Sequence, residues 1–127
     1  MQPEEIAHIN SINWFCYEFK ELADDMHHFA NERYLDVKKH PELWVVAKKL
    51  GKMGVKRGVF DFFLALPLNG KAGFWIELKV GKNKLGLDQI AFMNRKMSRG
   101  YECKAVWGED EFKDAILCYL KDYIPTR

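Results

Sequence analysis

The sequence predicts an α/β fold in which a central mixed sheet is flanked by helices. Two observations carry this reading. Apolar residues recur every three to four positions in four separate segments, and alternate with period two in runs between them. The segments follow in the order helix, short strand, helix, strand, strand, helix, strand, helix, which suits layered packing of helices on a sheet. At 127 residues, 48% of them hydrophobic, the chain is expected to form one domain over 1–127 with its own core.

Pro3-Glu4-Glu5 opens the first helix, with carboxylates in the turn where the helix dipole favours them. Ile6, Ile9, Ile12, Phe15, Cys16 and Phe19 then keep helical spacing, to about Asp24. Met26 to Ala30 reads as a short strand. Pro41 starts a helix whose apolar side is Leu43, Val46, Ala47, Leu50 and Met53, closed by Gly51 and Gly54. Val59–Leu66 and Phe74–Val80 read as strands joined by a turn at Pro67 to Lys71. A basic loop, Gly81–Gly86, leads to a helix over Asp88–Arg99, with Ile90, Phe92, Met93 and Met97 inward. Gly100 stops it. Tyr101–Trp107 is a further strand and Glu109–Tyr123 the last helix. Trp14, Trp44, Trp75 and Trp107 read as core or interface residues.

Composition narrows the function. No apolar stretch is long enough to span a membrane, and no signal-peptide pattern opens the chain. Cys16, Cys103 and Cys118 are odd in number and far apart, which suits buried thiols in a reducing cytoplasm. They lack the spacing of a structural zinc site. The net charge of +2 hides an asymmetry: residues 45–106 hold 13 Lys and Arg against 4 Asp and Glu, while both ends are acidic. A cationic middle suits a polyanion such as nucleic acid, although lysines that merely solvate helix faces give the same count.

The two central strand runs each carry one carboxylate, Asp61 and Glu77, and Lys79 follows two residues after the second. A carboxylate in so apolar a run needs a partner or a task. Whether the two meet depends on register. A two-residue Asn69-Gly70 turn carried straight down the hairpin pairs Asp61 with Leu78 and separates the carboxylates. A three-residue loop or a bulge pairs Asp61 with Glu77. In that second register two carboxylates and an ammonium converge, and hard oxygen ligands select Mg2+ or Mn2+. The competing structural reading is an Asp61–Lys79 ion pair with Glu77 exposed.

Asp61, with Glu77-Leu78-Lys79 beginning sixteen residues on, resembles the signature of the PD-(D/E)XK nuclease superfamily. More narrowly, the chain resembles the VRR-NUC (virus-type replication-repair nuclease) family, especially its small stand-alone phage and prophage members. GVKRGVFD, IELK, KNKLGLDQ and SRGYECKAV follow in the family's order, and HHFANE resembles an earlier segment. The match runs from about Glu4 to Asp122, with Phe60 and Ala30 standing where the family has proline. The resemblance implies a restriction-endonuclease-like domain in which Asp61, Glu77 and the Leu78 carbonyl hold the metal. Glu5, or alternatively Glu4, would complete the site from the first helix. Lys79 would be the catalytic lysine and Gln89 would lie beside the metal. Lys56, Arg57, Lys82, Lys84 and Asn31 would contact DNA; His27 and His28 read rather as structural or phosphate-adjacent than as bases.

The expected activity is therefore a Mg2+- or Mn2+-dependent endodeoxyribonuclease in the cytoplasm of a bacterial or phage-infected cell. Its expected substrate is branched DNA, four-way junctions above all, cut by a homodimer in repair or recombination. Flapped or linear duplex is the alternative substrate, and a catalytically silent nucleic-acid-binding module the alternative class.

Overall fold

The computed structural model describes residues 1–29 and 38–125. Helix α1 (Pro3–Glu18) is followed by a tight 3-10 turn (Lys20–Asp25) and strand β1 (Met26–His28). Then come α2 (Leu43–Lys52), β2 (Phe62–Leu64), β3 (Phe74–Lys79), α3 (Leu87–Ser98), β4 (Glu102–Trp107) and α4 (Gly108–Tyr119). The first helix ends sooner than its periodicity implies. Phe19 leaves helical geometry at φ −125° and ψ 65°, and the chain tightens before entering the sheet.

The four strands lie in the order β1-β2-β3-β4. β1, β2 and β3 pair antiparallel, while β4 runs parallel to β3 after the α3 crossover. The sheet is therefore mixed and helices cover both faces. On one side Phe62, Leu64, Phe74, Ile76, Leu78 and Val106 pack with Phe15 of α1 and Phe112 and Ile116 of α4. On the other, Phe60, Trp75 and Cys103 pack against Phe92 and Met93 of α3. β3 lies between the two layers, and its first five residues are all buried, as expected of a strand covered on both faces.

Two helices are oriented differently from the expectation. In α1 the buried residues are Ala7, His8, Ser11 and Phe15, whereas Ile6 and Ile9 are exposed. Ala7 and Ser11 are small, so this face can approach β3 and α4 closely. In α2 no residue is buried; Leu43, Ala47 and Leu50 are half-covered, and Val46 and Met53 face solvent. Of the tryptophans, Trp75 is buried and Trp14 half-buried, but Trp44 is 56% exposed. The thiols also differ: Cys103 is buried, Cys16 half-buried and Cys118 exposed. Desolvation raises the Cys103 thiol from 9.0 to about 12, so it stays protonated at neutral pH.

The hairpin between β2 and β3 settles the register. At its tip Leu68 pairs with Lys71, with Asn69 (φ 54°) and Gly70 (φ 78°) both left-handed, the geometry of a two-residue type I′ turn. Carried down the strands, that pairing would keep Asp61 and Glu77 apart. It is not carried down. Phe62 pairs with Ile76, Phe63 with Trp75 and Leu64 with Phe74. Three residues (Ala65, Leu66, Pro67) therefore oppose two (Ala72, Gly73) between ladder and tip. This one-residue bulge shifts the register so that the next position places Asp61 opposite Glu77. Pro67, which has no N–H for the ladder, lies within it.

Gly58 fixes the approach to β2. Its φ is +78°, and a Cβ there would lie 2.4 Å from the Asp88 carbonyl oxygen at the start of α3. Gly58→Ala is therefore expected to lower stability by roughly 1–3 kcal/mol, the usual range for forced backbone strain. Urea denaturation measures it; an unchanged midpoint would show that the loop does not need this close approach.

Candidate active site

Asp61 and Glu77 are both 0% exposed. They lie where β2 parts from β3, and each side chain bonds the other strand's backbone. The Asp61 N–H donates to Glu77 Oε1 at 3.2 Å, and the Leu78 N–H donates to Asp61 Oδ2 at 2.9 Å. The carboxylates thus accept hydrogen bonds from main-chain groups just where the two strands diverge.

The remaining contacts come from three directions. Lys79 Nζ lies 3.4 Å from Glu77 Oε2, with its side chain 11% exposed. From α3, Gln89 Nε2 donates to the same Oε2 at 2.8 Å, while its Oε1 accepts the Gly86 N–H at 2.9 Å. Gln89 therefore caps its helix and holds Glu77 in one action. From α1, His8 Nε2 lies 3.4 Å from Asp61 Oδ2 and 3.2 Å from the Leu78 carbonyl oxygen. His8 Nδ1 meets His28 Nε2 at 3.3 Å, and the His28 ring stacks on Phe62 at 4.8 Å between centroids.

The structure thus brings together Asp61, Glu77, Leu78, Lys79 and Gln89, and it adds His8. Glu5 does not join them. It is half-buried on the first turn of α1 and makes no hydrogen bond or ion pair among the described residues. Glu4, the alternative, is likewise half-buried on that turn, and the α1 side chain that meets Asp61 and the Leu78 carbonyl is His8, one turn later on the buried stripe. The signal for His8 lay in the spacing of His8, Ser11 and Phe15, which share a face; the isoleucines pointed to a different face. The competing ion pair, Asp61 with Lys79 and Glu77 exposed, is not formed: Glu77 is buried and is itself the partner of Lys79.

Lys56 and Arg57 are exposed on the loop before Gly58, and Lys82 and Lys84 on the loop after β3. Trp107 anchors the latter loop, its indole N–H donating to the Asn83 carbonyl at 2.6 Å. Asn31 lies outside the described residues.

As donors, the two carboxylates and the Leu78 carbonyl form a hard oxygen set, suited to Mg2+ or Mn2+. Among the described residues no group of three or more His, Cys, Asp or Glu side chains is placed to hold a metal ion. A site of two carboxylates and a main-chain oxygen leaves positions for water or phosphate, which is how Mg2+ is commonly held.

A mixed sheet with α1 and α4 on one face, α3 on the other and Asp61, Glu77 and Lys79 at the strand fork is a restriction-endonuclease-like fold. Comparison agrees. A solved structure described as a "VRR_NUC domain protein" superposes with a TM-score of 0.78 at 22% sequence identity, covering 95% of this chain and 90% of that one. The chain thus shares the VRR-NUC fold that its motifs resemble. No protein-family model matches the chain, and no curated protein does. No helix among the described residues is long and apolar enough to cross a membrane.

The exchange between the strands has a measurable consequence. Asp61→Ala leaves the buried Leu78 N–H without its acceptor, a loss of roughly 1–3 kcal/mol. Asp61→Asn retains an oxygen there and should be the more stable variant in urea denaturation. Equal stability of the two would show that the hydrogen bond does not brace the fork.

Proposed function

We propose that this chain is a Mg2+- or Mn2+-dependent endodeoxyribonuclease that hydrolyses phosphodiester bonds in branched DNA. The observation that carries the reading is the pair of fully buried carboxylates at the β2–β3 fork, with the Lys79 ammonium beside Glu77. Burial of two acids in an apolar layer is costly even when they are hydrogen-bonded, and such groups cluster at functional sites.

Asp61, Glu77 and the Leu78 carbonyl would hold the ion. When bound, it supplies charge neutralisation at the phosphoryl oxygens and activation of water for in-line attack. The chain's own groups do the rest. Gln89 holds Glu77 in a single orientation through Oε2. Lys79, an ammonium at the edge of the buried site, stabilises negative charge as it develops on phosphate and orients the attacking water. Lys56, Arg57, Lys82 and Lys84, on the loops either side, neutralise the flanking phosphates and position the strand without reading bases.

One such site cuts one strand. Resolving a four-way junction takes two matched cuts, which a two-fold homodimer supplies. Apolar surface for a self-complementary interface is present: Trp44, Val45 and Met53 of the α2 segment are 56%, 71% and 70% exposed. Such a surface is what the homodimer of a junction resolvase would need.

The test is cleavage of labelled linear, flapped and four-way DNA with Mg2+, Mn2+ or EDTA, beside light scattering. Paired nicks in the junction by a dimer are expected, with activity abolished in Asp61→Asn and Glu77→Gln. Lys79→Ala should lose most turnover but keep metal binding. A monomer that nicks only flaps would overturn the junction reading, and no metal-dependent cleavage of any DNA would overturn the nuclease reading.

Charge reversal of Lys82 and Lys84 to Glu should weaken binding about equally for all sequences. It should also flatten the dependence of log K on log salt by about one unit for each phosphate no longer neutralised. An unchanged slope in a salt titration would remove this loop from the DNA interface.

A further inference from the structure

We propose that His8 is a positioning residue for the ion: its Nε2–H holds the Leu78 carbonyl oxygen, and Asp61 Oδ2 beside it, in place at the strand fork before the ion binds. The inference rests on the metal-dependent nuclease reading above and concerns how that site is kept in order.

The ladder supplies the first argument. In an extended strand the N–H and C=O of one residue point to the same edge. The Leu78 N–H points toward β2, where it donates to Asp61 Oδ2 at 2.9 Å. Its carbonyl therefore points into the same gap. Had the β2–β3 pairing run on past Phe62 and Ile76, Leu78 would face Phe60, whose N–H would satisfy that carbonyl. The pairing stops at Phe62 and Ile76, and Leu78 is fully buried. A buried carbonyl that has lost its ladder donor needs another. His8 Nε2 lies 3.2 Å from it and 3.4 Å from Asp61 Oδ2. Neither oxygen has a backbone hydrogen to give, so the proton of this contact sits on Nε2.

The fixing of the ring is the second argument. His8 is 3% exposed, and its ring packs against Phe62 at 5.3 Å between centroids. Its Nδ1 meets His28 Nε2 at 3.3 Å. Both edges of the imidazole are thus engaged, and it cannot turn without breaking both contacts. His28 is exposed on β1 but is itself oriented by stacking on Phe62. Phe62 belongs to the last pair of the ladder, so the donor is anchored to the rigid end of the sheet.

The consequence is order in the metal-free site. The Asp61 carboxylate and the Leu78 carbonyl both present negative charge or partial charge to the gap and repel each other. One N–H lying between them relieves that repulsion and keeps both oxygens on the same side. Groups that hydrogen-bond to metal ligands commonly matter to affinity as well as to packing. A histidine that only filled the core would affect stability alone.

The test joins a spectroscopic reading of the full chain with metal titration. Long-range 1H–15N correlation of 15N-histidine-labelled protein should show His8 protonated at Nε2, both without metal and after Mg2+ is added. The His8→Gln spectrum identifies its resonance among the four histidines. In calorimetry His8→Leu should bind Mn2+ roughly 10- to 100-fold more weakly than the wild type. His8→Gln, which keeps an N–H donor, should recover most of that loss. A bare Nε2 in the wild type, or loss of its proton when Mg2+ is added, would overturn the proposal. So would wild-type Mn2+ affinity in a folded His8→Leu chain, whatever its urea midpoint. In each of these cases Mn2+ binding that Asp61→Asn abolishes would leave the nuclease reading standing. Absence of Asp61-dependent Mn2+ binding would overturn both. Because the proton is located on the wild type, a His8→Leu chain that fails to fold does not protect the proposal.

Discussion

The structure depends on a reciprocal exchange at the fork of two strands. The Asp61 N–H is taken by Glu77 and the Leu78 N–H by Asp61. The strands can therefore part without leaving buried donors unpaired, and the cost of burying two acids is reduced by the bonds they accept. Whatever sits between the strands then meets oxygen atoms rather than a closed ladder. The opening between the strands and the brace that makes it tolerable involve the same two side chains.

Several distant features keep that exchange in place. The bulge over Ala65 to Pro67 shifts the ladder by one residue, so a tight Asn69-Gly70 turn and an Asp61–Glu77 pairing coexist in one hairpin. Gly58 lets the incoming chain lie against the start of α3. Gln89 on that helix then reaches Glu77. Trp75, on the same face of β3 as Glu77, stacks on Phe63 at 4.4 Å and meets Phe92 of α3 at 4.9 Å, which fixes the helix over the sheet. Lys96 adds its ammonium near the rings of Trp75, Phe92 and Tyr101.

The other face is organised around α1. Its small buried residues bring the helix onto β3, and His8 arrives at the end of the sheet where Leu78 and Asp61 lie. The polar group on this face is thus part of a packed apolar layer that includes Phe15, Phe62 and Phe112. The basic side chains lie outside both layers, on loops that flank β2 and β3. The exposed loop cations and the buried carboxylates thus lie in different dielectric surroundings, and salt screens the first far more than the second.

Much of this was legible in the chain itself. The order of elements, the apolar strand runs, the carboxylates within them and Lys79 two residues on are local patterns, set by periodicity and by the cost of an acid in an apolar run. Gln89 was named through the family resemblance alone, and its contact with Glu77 depends on α3 lying over the sheet. The register was not legible. The turn residues alone favour a pairing that separates Asp61 from Glu77, and only packing on both faces of β3 selects the bulge that reverses it. The facing of α1 and α2 was not legible either: Ile6, Ile9, Val46 and Met53 keep helical spacing, yet which stripe is buried depends on the shape of the sheet and of α4 beneath it. His8 entered the site by that route. Sequence alone determined which residues could do chemistry; the tertiary structure decided which of them meet, because contact between α1, β2, β3 and α3 is set by layer packing rather than by any neighbour along the chain.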